Sequence, residues 1–289
     1  MRILNLLLSP IKGLLNFINT YFKSMIFVLI VVLIILSGSS TNRANLMEIS
    51  LNGAITDEKD LLSQIELAKD PAIKGVLINI NSPGGDMSSS VAISDAIKSL
   101  NELKPVLAYA SGTMTSGGYY AAIGADEIYA NRGSFIGSIG VILQAPNIEK
   151  LADKIGISSQ VVKAGEYKES GTYTRKWSQS ERDELQRLVD KSYELFTTDV
   201  ANARNLDINQ ASIWANARIF LASEALDLGL IDKISTYDEA KSRLKELSQV
   251  EIEMWYEAPA IERFMSGITK QSSNLIINSL NQKNILWQW

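Results

Sequence analysis

The chain has 289 residues, with 28 basic and 32 acidic side chains, 46% hydrophobic residues and 21% charged ones. That balance belongs to a globular protein with a packed core and excludes disordered or low-complexity readings. There is no Cys and no His, so disulfides, thiolate nucleophiles, Cys/His zinc sites and His-based triads are excluded as well. Hydrolytic chemistry would have to run on Ser, Thr, Tyr, Lys, Asp or Glu.

Charge is unevenly spread. Residues 1–47 hold Arg2, Lys12, Lys23 and Arg43 and no acid, which leaves 24 basic against 32 acidic side chains, a net −8, for the remainder. An acidic body offers no electrostatic footprint for nucleic acid, and that class of partner is set aside.

Met25–Leu36 reads MIFVLIVVLIIL, and between Leu14 and Ser40 only Lys23 is charged. Twelve apolar residues fall short of the roughly 20 that cross a bilayer, but the flanks extend them. Lys23 can snorkel, and Tyr21 and Phe22 stand where an aromatic belt would sit. A cleaved signal with Ser37-Gly38-Ser39 near the cut is the alternative. The long stretch before the apolar core, itself amphipathic through Leu6, Leu7, Ile11, Leu14, Leu15 and Ile18, favours an uncleaved anchor. The basic residues ahead of the core put the N-terminus in the cytoplasm and everything after residue 40 outside it, at the cell membrane. The expected division is a cytoplasmic segment over 1–23, an anchor over 24–40, a linker over 41–45, one domain over 46–250 and an extension over 251–289.

Past the linker, strand-like and helix-like segments alternate, which predicts an α/β domain with a helix-covered sheet. Strands are expected at Leu46–Leu51, Val76–Ile80, Val106–Ala110, Glu127–Ala130, Gln160–Val162 and Leu230–Ile234. Helices are expected at Asp57–Lys69, Ser88–Leu100, Ser116–Ala125, Ile148–Ile155, Ala222–Leu228 and Tyr237–Leu247. The longest, about Gln179–Asn202, repeats Leu185, Leu188, Val189, Tyr193 and Phe196 at three- and four-residue steps. In the extension, Glu251–Tyr256 suits one more strand and Ile261–Leu280 a helix. Trp255 reads as a packing residue, and the apolar end, with Trp287 and Trp289, is open to a role in a peptide groove.

Two glycine turns carry the chemistry. Asn81-Ser82-Pro83-Gly84-Gly85-Asp86 closes a buried strand and opens a helix, where paired glycines leave backbone N–H groups free to stabilise an oxyanion. Ser111-Gly112-Thr113-Met114-Thr115-Ser116-Gly117-Gly118 again runs from strand to helix. Ser116 there can expose its hydroxyl beside the next N–H, in the manner of a nucleophile elbow, although G-x-S-x-G itself is absent. Ser111, Thr113 and Thr115 are rival hydroxyls and read as turn and cap residues. A serine nucleophile needs a base. Carboxylates can serve, and so can a neutral lysine amine. Lys168, in Lys163-Ala164-Gly165-Glu166-Tyr167-Lys168-Glu169-Ser170-Gly171, stands out because it lies between glycines, whereas Lys59, Lys69, Lys98, Lys191, Lys241 and Lys245 sit on amphipathic helix faces.

The succession N-S-P-G-G-D, T-S-G-G-Y-Y, G-S-I-G-V-I at Gly137–Ile142 and G-E-Y-K-E resembles the signal peptide peptidases of the protease IV type. Val189-Asp190-Lys191-Ser192-Tyr193, Arg218-Ile219-Phe220 and Ala225–Asp232 agree, so the likeness covers about residues 46–250 and matches the short, single-domain form. The resemblance implies a crotonase/Clp-protease-like fold of repeated β-β-α units assembled into a ring or dome. It implies Ser116 as nucleophile, Lys168 as general base, and Gly117 with the Gly84-Gly85 turn as oxyanion hole. Neighbouring protomers complete active sites in that family, so Ser116 and Lys168 are free to meet across an interface. Ala215-Asn216-Ala217 departs from the glycine-containing turn common there.

The expected activity is that of a membrane-anchored serine endopeptidase on remnant signal peptides and other apolar segments, needing no metal, nucleotide or organic cofactor. A crotonase-like acyl-CoA enzyme and a non-catalytic membrane scaffold are the competing readings. An extracytoplasmic site would not meet coenzyme A, and a decayed site should lack Ser116 or Lys168.

Overall fold

The computed structural model describes residues 2–37 and 44–258, with side chains of 16–33 in the first stretch. The chain divides into two units, and residues Ala44–Trp255 make up the compact one.

Helix α1 (Arg2–Ser37) belongs to the other unit. The amphipathic run and the apolar core, read separately in the sequence, form one uninterrupted helix, about 54 Å long at 1.5 Å per residue. Its segment Asn16–Leu33 is long and apolar enough to span a bilayer core, and its side chains are exposed.

The compact unit is a mixed α/β layer structure. Strands β1 (Leu46–Asn52), β2 (Gly75–Ser82), β3 (Val106–Thr115), β4 (Glu127–Ala130) and β7 (Lys233–Ile234) lie side by side in that order, all parallel. Helices α2 (Lys59–Ala68), α3 (Met87–Asn101) and α4 (Gly117–Ala122) make the connections between the first four. Period-two alternation assigns side chains to the faces. Val76, Ile78 and Ile80 of β2, with Val106, Ala108 and Ala110 of β3, join Leu61, Ile65, Ile93, Ile97 and Tyr119 in the main core. Leu77, Leu107, Tyr109 and Tyr129 face the other way, under Ala240 and Leu244 of α9 (Tyr237–Leu247). Both faces are therefore buried, which is why β2 reads as a nearly continuous apolar run. Each such Leu or Ile contributes about 1.5–3 kcal/mol by leaving water.

β3 runs five residues past its expected end. Its far half leaves β4 and pairs instead with β5 (Phe135–Gly137), which is antiparallel to β6 (Ile219–Leu221). A second short tier of sheet therefore stands at the carboxyl end of β2 and β3. Ser111, Thr113 and Thr115, expected as turn and cap residues, consequently lie within a strand. The short β5 and β6 had no readable period of their own.

Three other expectations change. Gln160–Val162 forms no strand, because no partner strand lies beside it among the described residues and its side chains are exposed. Leu230–Ile234 contracts to Lys233–Ile234, since Leu230 and Ile231 are buried in the turn after α8 (Ala222–Asp227). Glu251–Tyr256 makes a single bridge, Trp255 to Leu46, rather than a strand. Trp255 does pack on the domain, against Lys241 of α9. The expected helix at 261–280 and the terminal tryptophans lie outside the described residues.

The remaining elements are α5 (Glu149–Ile155), α6 (Gln179–Arg204), a 3₁₀ turn at Ile208–Gln210 and α7 (Ala211–Trp214). Helix α6 begins in a capping box, with Ser178 and Glu181 satisfying each other's backbone N–H. Only its second half is seated in the core, through Phe196, Thr197, Val200 and Ala201. Arg204 then ties its end to Asp232 and to the Gly229 carbonyl.

Candidate active site

β2 and β3 end side by side, and both glycine turns follow at that edge. In the first, each polar residue has a structural task. The Asn81 Oδ1 accepts from the Thr113 N–H at 3.0 Å. The buried Ser82 hydroxyl donates to the Gly53 carbonyl at 2.6 Å and accepts from the Gly84 N–H at 3.2 Å. Asp86 caps α3 by accepting from the Ser89 N–H at 2.8 Å, and this bond with those from Ser88 and Ser89 holds its carboxyl below the usual range.

Gly84 has φ +95°, and a Cβ there would meet the Gly117 nitrogen at 2.5 Å and Ser116 Cβ at 2.7 Å. No other residue allows both the backbone conformation and that contact. A Cβ on Gly117 would in turn run into the Ser90 hydroxyl at 2.2 Å and lie 3.2 Å from the Gly85 nitrogen. The two turns are interlocked at backbone distance.

Ser116 sits between β3 and α4 at φ 52°, ψ −124°. A non-glycine residue in this region stores on the order of 1–3 kcal/mol of strain. Two backbone bonds hold it there: its N–H donates to the Gly137 carbonyl at 2.7 Å, and its carbonyl accepts from Tyr120 at 2.9 Å. Ser116 is partly buried, and its hydroxyl makes no hydrogen bond among the described residues. The Gly85 and Gly117 N–H groups are likewise unpaired among them. The Gly84 N–H, by contrast, is taken by Ser82, so Gly84 shapes the turn while Gly85 and Gly117 keep their donors free.

These groups open onto one cavity of about 370 Å³. Ser116, Gly117, Gly85, Asp86 and Ser90 form its floor, and Met87, Val141, Ile142, Leu188, Val189 and Phe196 supply apolar walls. The G-S-I-G-V-I motif thus divides in two. Gly137 fastens Ser116, and Gly140–Ile142 line the cavity. The contribution of α6 could be read only as a helix with an apolar stripe; that the stripe walls this cavity depends on long-range packing. Ser90, buried under Gly117, carried no sequence signal.

Lys168 is not in this group. It lies in an irregular segment between α5 and α6, with an exposed side chain that makes no hydrogen bond or ion pair among the described residues. Charges hold that segment instead. Arg175 bridges Glu169 at 2.8 Å and Glu181 at 2.8 Å, and Lys163 reaches Glu169 at 3.4 Å. The Arg175 guanidinium, with the backbone N–H of Ser178, holds the Glu181 carboxyl down at about 2. The structure therefore brings Ser116, Gly117, Gly84 and Gly85 together and leaves Lys168 apart from them.

The turn at Ala215-Asn216-Ala217 packs beside the same cavity. Ala217 has φ 62° and donates its N–H to the Ile139 carbonyl at 3.0 Å. Here alanine occupies a conformation that suits glycine.

The chain matches the family model described as Peptidase family S49 over residues 98–251. A Synechocystis sp. protein provisionally named as a protease is 32% identical over 86% of this chain and 92% of its own length. An Enterococcus faecium protein provisionally named signal peptide peptidase SppA is 32% identical over 70% of this chain and 63% of its own length. The chloroplastic serine protease SPPA of Arabidopsis thaliana is 30% identical over 75% of this chain, which spans 32% of that protein. The interlocked glycine turns, the parallel sheet beneath them and this run of matches place the chain in peptidase family S49, among its SppA-type members with their Clp-like fold.

Proposed function

We propose that the protein is a membrane-anchored serine endopeptidase in which Ser116 is the nucleophile and Lys168 the general base. One observation carries the reading: among the described residues, a strained serine with a free hydroxyl stands beside two unpaired backbone N–H groups at the floor of a cavity with apolar walls. Ser116 Oγ attacks the scissile carbonyl, and the Gly85 and Gly117 N–H groups receive the negative charge that develops on its oxygen. The lysine amine takes the Ser116 proton and returns it to the leaving amine, and water then releases the acyl group. The walls around Ser116 favour extended apolar segments, such as signal peptides left after processing.

Because Lys168 stands apart from Ser116 within the subunit, we assign it to the serine of a neighbouring protomer, which makes the working enzyme a homo-oligomer with shared sites. Residues 24–40 hold the protein in the cell membrane, with 1–23 on the cytoplasmic side. The linker 41–45, the peptidase domain 46–250 and the extension 251–289 lie outside. The test is a fluorophosphonate probe on the full-length protein in detergent. Ser116 should take the label and a signal-peptide substrate should be cleaved, both lost in Ser116→Ala. Labelling elsewhere, or cleavage by Ser116→Ala, overturns the assignment.

A further inference from the structure

Tyr120 stands between two cavities. Its ring lines the one above Ser116, and it also lines a second, polar cavity of about 370 Å³ bounded by Asp95, Lys98, Asn101, Asp199 and Asn202. Its hydroxyl donates to the Asp199 carboxylate on α6. Its ring packs on Phe196, one turn earlier on the same helix, with centroids 4.8 Å apart. Tyr120 itself lies in α4, four residues from Ser116, and its N–H is bonded to the Ser116 carbonyl at 2.9 Å. One side chain thus connects the nucleophile's helix to the helix that walls the cavity.

That connection matters because of how α6 is held. Between Arg182 and Leu195 no side chain of α6 is buried, yet Leu188, Val189 and Ser192 from this stretch face Ser116 across the cavity. The wall projects from an anchorage whose fully buried side chains begin at Phe196, with the partly buried Tyr193 packed on the core just ahead of it. Leu188 lies about 16 Å along the helix from Asp199 at 1.5 Å per residue, so a slight tilt at the anchorage moves it appreciably. Among the described residues, one side chain on the projecting stretch, Tyr193, donates into the body, to the Ala215 carbonyl.

We propose that Tyr120 and Asp199 are positioning residues that fix the distance between Ser116 and the apolar wall of α6, and so set the affinity for apolar substrate segments. The inference rests on the reading of Ser116 as nucleophile. Tyr120 takes no part in proton transfer: its hydroxyl is committed to Asp199, and burial together with that carboxylate pushes its ionisation well above the ordinary tyrosine value.

The test uses the full-length protein and an apolar signal-peptide substrate. Tyr120→Phe keeps the ring and loses the hydrogen bond; KM should rise about five- to tenfold with kcat little changed. Labelling of Ser116 by a small fluorophosphonate, which does not need the wall, should stay within about twofold of wild type. Asp199→Ala should match Tyr120→Phe, the double variant should be no worse than either, and Asp199→Asn, which keeps an acceptor oxygen, should recover most of the loss. An unchanged KM in Tyr120→Phe, or a fall in labelling as large as the rise in KM, overturns the proposal. Ser116→Ala separates the two readings. Cleavage by Ser116→Ala sinks the nucleophile assignment, whereas an inactive Ser116→Ala beside a Tyr120→Phe of normal KM sinks this inference alone.

Discussion

Two parts of the peptidase unit are built by opposite means. The layer around Ser116 is set by backbone: Gly84 against Gly117, Gly85 against the Ile55 backbone and Gly117 against Ser90 approach at distances that exclude a Cβ, and Ser116 is held in a strained conformation by main-chain bonds. The segment that carries Lys168 has almost no regular structure, exposes Val161, Val162 and Tyr167, and is held by Arg175 between two glutamates. The first part is complete within one chain and cannot yield without breaking; the second is attached by charges and leaves its lysine facing solvent. On the proposed reading, the donors and the nucleophile would be properties of the subunit, while the base would be a property of the assembly.

The sharpest way to break the comparison is to remove one functional group from each part. Ser116→Ala and Lys168→Arg should each lower kcat by about a thousandfold or more, since guanidinium stays protonated and cannot accept the serine proton. Co-assembling the two inactive proteins should restore part of the activity, measured on a peptide substrate after subunit exchange. No recovery in assemblies shown to be mixed would place the pair within one chain. A somewhat smaller loss should follow Gly84→Ala. The new Cβ would press on the Gly117 nitrogen at 2.5 Å, in a backbone conformation that alanine resists. Misplacing one oxyanion donor costs about 10²–10³ in kcat. Circular dichroism should show the fold retained while Ser116 labelling slows.

The sheet and its first three crossover helices were legible because periodicity and turn chemistry agree there: β2 is apolar on both faces, and Asn81 through Asp86 spell out a strand end and a helix cap. Ser116 and the glycines were legible for the same reason, since their constraints are local. What sequence could not provide was pairing at a distance. β5 and β6 exist only because the far half of β3 offers them an edge, and Gln160–Val162 fails as a strand because nothing does. The α6 wall and Tyr120 depend on helix packing across some 80 residues of chain, which leaves no local mark.

The charged attachment of the Lys168 segment should be sensitive to acid where the backbone-built layer is not. The folded Glu181 carboxyl is held at about 2 against an ordinary value of 4.5, and that of Glu169 is lowered by the same Arg175. A depressed carboxylate contributes stability that is present above its unfolded value and lost as pH falls through the folded one. Lowering the pH from about 4.5 towards 2 should therefore release residues 163–178 before the core. Hydrogen exchange should show the segment opening while α3 and β2 stay protected. Arg175→Ala should open it already at neutral pH, with a several-fold loss of activity and little change in unfolding temperature. Equal acid response in wild type and Arg175→Ala would mean that other contacts hold the segment.

The smallest effect belongs to the turn beside the cavity, where the backbone-built part carries an avoidable strain. Ala217 adopts φ 62°, a left-handed conformation that costs an L-residue roughly 1–2 kcal/mol. Its side chain is exposed, and its N–H already holds the Ile139 carbonyl, so nothing packed is lost when the methyl goes. Ala217→Gly removes the strain but gives the unfolded chain more freedom, a penalty of about 0.4–1 kcal/mol. The net gain should be about 0.5–1 kcal/mol, seen as a rise of about 1–4 °C in unfolding temperature with kcat unchanged. The reciprocal change checks the geometry. A Cβ on Gly140 would meet that of Ala217 at 2.7 Å, so Gly140→Ala should destabilise the native background and be partly rescued by Ala217→Gly. If Gly140→Ala is equally costly in both backgrounds, the two residues are not in contact in the folded enzyme.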